Sequence, residues 1–172
     1  MLNSDENRKK IISKFPKLIG DKDFKVVDYP SPNYNCFAWA ANHKDVFWQP
    51  IPLDKRPFQR FDGVSFDWPF VAAEDTKLST MIMIFSKLGY IECLDGAIEE
   101  GYRKVALYGT EEEVTHAARQ LVNGKDKGKW TSKLGPSFEI IHGDPTSIEG
   151  KDYGPIIKYL RMRACENFCV NW

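Results

Sequence analysis

Two side chains in this sequence have both the chemistry and the setting for acyl transfer, Cys36 and His116. Cys36 lies in Tyr34-Asn35-Cys36-Phe37-Ala38-Trp39-Ala40, and the segment before it, Asp28-Tyr29-Pro30-Ser31-Pro32-Asn33, carries two prolines that disfavour helix. The chain is therefore expected to arrive extended or turning, with Asn33 or Asn35 capping a short apolar helix and the cysteine in its first turn. A thiol there feels the positive end of the helix dipole, which favours the thiolate, the form that attacks carbonyl carbon. His116 falls near the start of Val114-Thr115-His116-Ala117-Ala118-Arg119-Gln120-Leu121-Val122, which reads as a strand. An imidazole brought to such a thiol would take its proton during attack on an acyl carbon. Each residue also has a plain structural reading, a small buried apolar cysteine and a strand histidine bonded to the backbone.

The elements that must position these two groups can be read along the chain. Residues 5–17 predict a helix with Ile11, Ile12 and Phe15 on one face, stopped near Pro16. Phe24–Val27 predicts a short strand, and the Cys36 helix runs to about Asn42. The aromatic and proline-rich stretch 43–69 is long for an unstructured connection, so it is expected to be packed, over the core or along a groove beside Cys36. Leu78, Met81, Ile82, Phe85 and Leu88 recur at helical spacing in 74–88, ahead of Gly89. Strands follow at 90–94, 103–108, 114–122 and 130–134, and Ile156, Ile157 and Leu160 predict a final helix over 153–162. Helices followed by closely spaced strands imply an α+β domain with an antiparallel sheet. The expected fold is a helix bearing Cys36 packed on about four antiparallel strands, flanked by amino- and carboxyl-terminal helices. The whole of 1–172 reads as one domain: a helical extension at 1–23, a core at 24–162 and a tail at 163–172.

The bulk composition narrows the function classes. The 172 residues carry 24 basic and 24 acidic side chains, a net charge of zero that argues against nucleic acid as a partner. The amino terminus is polar and no apolar run is long enough for a membrane span, so a cytoplasmic protein without membrane contact is expected. Cys36, Cys93, Cys165 and Cys169 are scattered, and His43, His116 and His142 have no paired ligand spacing. Cys165-x-x-x-Cys169 alone supplies too few ligands for zinc, so neither a metal nor another cofactor is expected.

Larger blocks of sequence carry a resemblance. Asn35-Cys36-Phe37-Ala38-Trp39-Ala40, Lys104–Tyr108, Thr115-His116-Ala117-Ala118-Arg119-Gln120-Leu121 and Trp130-Thr131-Ser132-Lys133-Leu134-Gly135 resemble an uncharacterised bacterial family over roughly residues 30 to 162. In layout the chain is also similar to the papain-like superfamily, and within it to the NlpC-type and CHAP amidases. Those pair an aromatic-flanked cysteine at a helix start with a histidine opening a strand and a third polar residue on the next strand. The resemblance implies a papain-like fold and a thiol hydrolase or acyltransferase acting on an amide or ester, with Cys36 as nucleophile and His116 as base.

The third position is open. Ser132 is the nearest candidate, but if Leu121 faces Trp130 across the hairpin, His116 lies opposite Gly135 and Ser132 is roughly 10 Å away. His142, Asp144 or no residue at all remain as alternatives. Asn35, Trp39 and Arg119 are the expected substrate-contacting residues, Arg119 for an anionic group and Asn35, or Tyr34, as an oxyanion donor beside the Cys36 N–H. The partner would be a small-molecule or peptide substrate. The competing function is a non-catalytic binding or immunity-type protein that engages a partner protein.

Overall fold

The computed structural model describes residues 1–164; Cys165 and Cys169, and with them most of the expected carboxyl-terminal tail, lie outside the described residues. The chain begins with α1, Asp5–Lys14. Ser4 caps it by accepting a 3.2 Å hydrogen bond from the Asn7 N–H, acidic residues fill its first turn, and Pro16 redirects the chain into a 3-10 turn. β1, Lys25–Asp28, leads through the Pro30–Pro32 segment to α2, Cys36–Ala40, a five-residue helix in which every residue is buried. The aromatic stretch then forms β2 (Phe47–Trp48), β3 (Phe58–Gln59) and β4 (Ser65–Asp67), and α3 follows at Leu78–Lys87. The remaining strands are β5 (Ile91–Cys93), β6 (Tyr102–Gly109), β7 (Val114–Gln120), β8 (Trp130–Lys133), β9 (Glu139–His142) and β10 (Ile156–Arg163).

The strands form two sheets. The larger has seven, in the order β1-β9-β8-β7-β6-β10-β5, with every neighbouring pair antiparallel. The smaller has the order β2-β4-β3. One face of the large sheet packs Val105, Leu107, Ala117 and Leu160 against α2 and α3. The other packs Ala106, Tyr108, Ala118, Trp130 and Ile140 against α1, the turn after it and Ile148. Because both faces are covered, β7 shows no simple apolar–polar alternation: all its residues except Thr115 are buried.

This architecture corrects the expected fold. Among the described residues there are only three short α-helices, set against a seven-stranded and a three-stranded sheet, so the papain-like arrangement of a helix on about four strands does not apply. Residues 153–162 do not form a carboxyl-terminal helix. They run into β10, where Ile157, Leu160 and Met162 face one apolar cluster and Ile156 and Tyr159 the other. A register irregularity between Ile156 and Lys158 breaks the strict two-residue period, and the resulting spacing imitates a helical stripe. β9 was not expected; it lies between β1 and β8 with all four residues buried.

Candidate active site

Cys36 opens α2, and Asn35 holds that opening in place. The Asn35 Oδ1 accepts from the Ala38 N–H at 3.2 Å and from the Trp48 N–H at 3.3 Å, while its Nδ2 donates to the Trp48 carbonyl at 2.6 Å. The side chain is thus committed to capping α2 and clamping β2 beside it. The segment leading into Cys36 is braced by Lys133, which is fully buried and donates to the carbonyls of Ser31 (3.0 Å), Gly135 (2.8 Å) and Ser137 (2.6 Å). Burial lowers the Lys133 ammonium to about 8, against the attraction of Glu139 and Cys36. Tyr34 completes the brace, its hydroxyl donating to Glu139 at 3.0 Å.

Burial pushes the Cys36 thiol up to about 11, although the backbone N–H groups of Ala117, Phe37 and Cys36 itself pull the other way. The thiolate favoured by a helix start is therefore not the resting form, because desolvation outweighs the few aligned peptide dipoles of a five-residue helix. The Ala117 N–H reaches the sulfur because the ladder between β7 and β8 ends early. Its paired residues are Gln120↔Trp130 and Arg119↔Thr131, and beyond them the ladder does not continue.

His116 is fully buried, one position before Ala117. Its Nε2 lies 3.1 Å from the Ser132 hydroxyl, that hydroxyl lies 2.9 Å from His142 Nε2, and His142 Nδ1 lies 2.9 Å from the Asp144 carbonyl. The direction of this chain follows from its end. A carbonyl only accepts, so His142 carries its proton on Nδ1 and presents a lone pair at Nε2. Ser132 must then donate to His142, which leaves its oxygen to accept from a proton on His116 Nε2. His116 Nδ1 is consequently a bare lone pair, and it is buried without a hydrogen-bond partner among the described residues. Burial, with a smaller contribution from His142, holds the imidazole well below its ordinary pKa, so it rests neutral. Tyr153 stacks flat on the ring, with centroids 4.0 Å apart, and Tyr108 meets it edge-on at 5.3 Å.

Thiol and imidazole therefore meet β7 at successive positions. Cys36 comes from the α2 side onto the Ala117 N–H, and His116 points toward the Tyr108 and Tyr153 side, where the β7–β8 ladder has stopped. No hydrogen bond joins Nδ1 to the thiol in this resting arrangement. Trp39 and Arg119 lie farther along the α2 side. The Trp39 Nε1 donates to Thr131 at 3.1 Å, and the Arg119 guanidinium sits 4.2 Å from the Trp39 ring centroid with a hydrogen bond to Asn42. Burial lowers Arg119 to about 10, with Arg103 adding to the effect.

Ser132 and His142 thus join the His116 group, whereas Asp144 contributes its backbone carbonyl and turns its carboxylate to the Thr146 N–H and hydroxyl. The sequence reading missed Tyr153, placed at a helix start, and the buried bracing role of Lys133, whose type fits a solvated sheet face or an anion contact equally well. A lysine between a strand and a glycine turn carries no mark of burial in its type. His43 and Cys93 lie outside the group: His43 packs on Trp48 beside Asp45, and the Cys93 thiol donates to the Asp95 carbonyl. Among the described residues no cluster of three or more His, Cys, Asp or Glu is placed to hold a metal ion, and no helix is long and apolar enough to cross a membrane.

With this geometry the chain can be placed among known proteins. Residues 25–161 match the family described as Domain of unknown function (DUF7689), and the chain belongs to that family. No curated protein and no solved structure matches it. The match agrees with an uncharacterised family and lends no support to the papain-like resemblance.

Proposed function

We propose that this domain performs thiol-dependent acyl chemistry, hydrolysis or transfer at an amide or ester, with Cys36 as nucleophile and His116 as general base. The observation that carries the reading is the bare, buried Nδ1 lone pair of His116. Leaving such a group unpartnered costs roughly 1–3 kcal/mol, a strain a fold retains where an unpaired base has a use. Both groups rest neutral, so the chemistry starts from a thiol and an imidazole rather than from an ion pair. As Sγ bonds to the acyl carbon, its proton passes to Nδ1, and the imidazolium charge is spread through Ser132 and His142 toward the Asp144 carbonyl. The N–H groups of Cys36 and Phe37, which no helical carbonyl can reach, supply donors for the oxyanion. Collapse expels the leaving group with the proton from His116, and water or an acceptor then resolves the thioester.

The burial of both residues favours a second reading, a non-catalytic binding or immunity-type protein in which they are core. Mass spectrometry of protein exposed to 4-nitrophenyl acetate separates the two. Acylation at Cys36 is expected to outpace Cys93 and to fall about 10²–10⁴-fold in His116→Gln, with melting curves to confirm that the variant is folded. Acylation of Cys36 no faster than that of Cys93 would leave the binding reading standing.

A further inference from the structure

A groove of about 330 Å³ opens on the α1 side of the large sheet, the side that His116 faces, at the end where the β7–β8 ladder has stopped and Cys36 meets β7 from the α2 side. Its walls are Ile11 and Phe15 from α1 and the turn after it, Leu134 and Phe138 from the β8–β9 turn, and Tyr153. Tyr153 ties the groove to the reacting groups. It lines the cavity, packs its ring 4.9 Å from Phe15 and lies flat against His116, the centroids 4.0 Å apart. Its hydroxyl proton is held more tightly than usual by burial and, next, by the negative charge Cys36 carries when ionised. The floor is stiff, since Lys133 bonds to the carbonyls of Gly135 and Ser137 in the turn that forms it. The size falls at the small end of the range for small-molecule pockets.

The rim gives the groove a sign. Lys10 and Lys14 stand one turn apart on the exposed side of α1, against the single carboxylate of Asp152. Among the described residues Lys14 makes no ion pair, and the pairing of Lys10 with Glu6, at 3.4 Å between two exposed side chains, is weak.

We propose that this groove holds the acyl part of the substrate, and that this part is an apolar chain of moderate length with a negatively charged far end. The proposal rests on the thiol reading for the reaction, while the binding itself does not depend on it. The carbonyl end lies past the Tyr153 hydroxyl toward Cys36, the apolar body lies between Phe15 and Phe138, and the anion meets Lys10 and Lys14. With an ester the C–S bond forms as the C–O bond breaks, the thiol proton leaves with the alcohol by way of His116, and water then releases the acid and restores the thiol.

The probe for binding is octanedioate, titrated by calorimetry into Cys36→Ala protein, which cannot be acylated. The probes for reaction are mono-(4-nitrophenyl) octanedioate and 4-nitrophenyl acetate, compared as a ratio of kcat/KM. The long anionic ester is expected to be favoured roughly tenfold or more. Ser13→Trp, at the exposed groove rim, and Lys14→Glu should each bring that ratio close to one and abolish octanedioate binding. Ser86→Trp, a matched exposed serine on α3, should leave the ratio intact. Failure of octanedioate to bind, or a ratio unmoved by Ser13→Trp and Lys14→Glu, overturns the groove even if acetate acylates Cys36. Octanedioate binding lost in Ser13→Trp, with Cys36 inert to both esters, upholds the groove and overturns the thiol reading instead.

Discussion

Ser132 decides which nitrogen of His116 is bare. Its hydroxyl is the one group that links the two imidazoles, and it passes the direction set at the Asp144 carbonyl on to Nδ1. Ser132→Ala removes that instruction and leaves two further buried ring nitrogens, His116 Nε2 and His142 Nε2, unpaired. The expected result is a loss of stability of about 1–3 kcal/mol by urea denaturation. A fall in Cys36 acylation of roughly tenfold or more should accompany it, since the imidazole is then free to carry its proton on either nitrogen. Ser132→Thr, which keeps the hydroxyl, should restore the rate, and a rate restored equally by Ser132→Val would assign Ser132 to packing alone. Residue types and order were enough to single out Cys36 and His116 from the sequence. The partner was lost to a register error of one residue. Leu121 faces Lys129 through a 2.8 Å backbone hydrogen bond, so Trp130 pairs with Gln120 and Ser132 falls on the same face as His116. A turn containing Asn123-Gly124 and Lys127-Gly128 does not reveal from composition at which residue it closes.

At the level of elements, α2 is too short to stand by its own hydrogen bonds and depends on what surrounds it. Asn35 supplies the cap and also a two-way clamp on Trp48, so the cysteine helix and the small sheet are held by one amide. Asn35→Ala is expected to cost about 2 kcal/mol or more, the sum of a lost cap and an unpaired buried carbonyl. A red shift in tryptophan emission should accompany it as Trp48 loosens. A loss confined to a few tenths of a kcal/mol would show that neighbouring contacts alone position α2. The sequence narrowed the cap to Asn33 or Asn35, because an Asn just before a short apolar helix commonly caps it. It concealed the clamp, since β2 is two residues long and lies within an aromatic stretch with no period to follow. The carboxyl-terminal strand was hidden for the opposite reason: β10 serves two cores, and its apolar residues make one convincing but false stripe.

Across the whole molecule, enclosing two neutral imidazoles ties folding to proton concentration. Burial lowers the pKa of His116, assisted by His142, and burial also lowers that of His142 against the pull of the Asp144 carbonyl. Above pH 6.5 neither state binds the extra protons and the effect vanishes. Below it the unfolded chain takes up protons that the folded chain refuses, so stability declines by up to about 1.4 kcal/mol per pH unit for each imidazole. Asp21 acts only lower on the scale. Burial raises its pKa, but hydrogen bonds from the Asp144 and Gly143 N–H groups and the Ser147 hydroxyl lower it overall below 3.8. The urea midpoint is therefore expected to fall between pH 7 and pH 5, the two imidazoles outweighing the single opposing group, Glu139, whose carboxyl pKa burial raises. A midpoint unchanged over that interval would mean that the imidazoles accept protons without opening the core.

The position of α1 relative to the family segment has a consequence for how this protein could diversify. The relay from Asp144 to His116, together with Cys36, lies wholly inside residues 25–161, whereas α1, which forms one wall and the charged rim of the groove, lies before them. If Cys36 and His116 react as proposed and the groove holds the acyl group, reactivity and selectivity would be inherited as separate parcels. A relative that kept the relay but carried a different amino-terminal helix would retain the same reacting atoms and accept a different cargo.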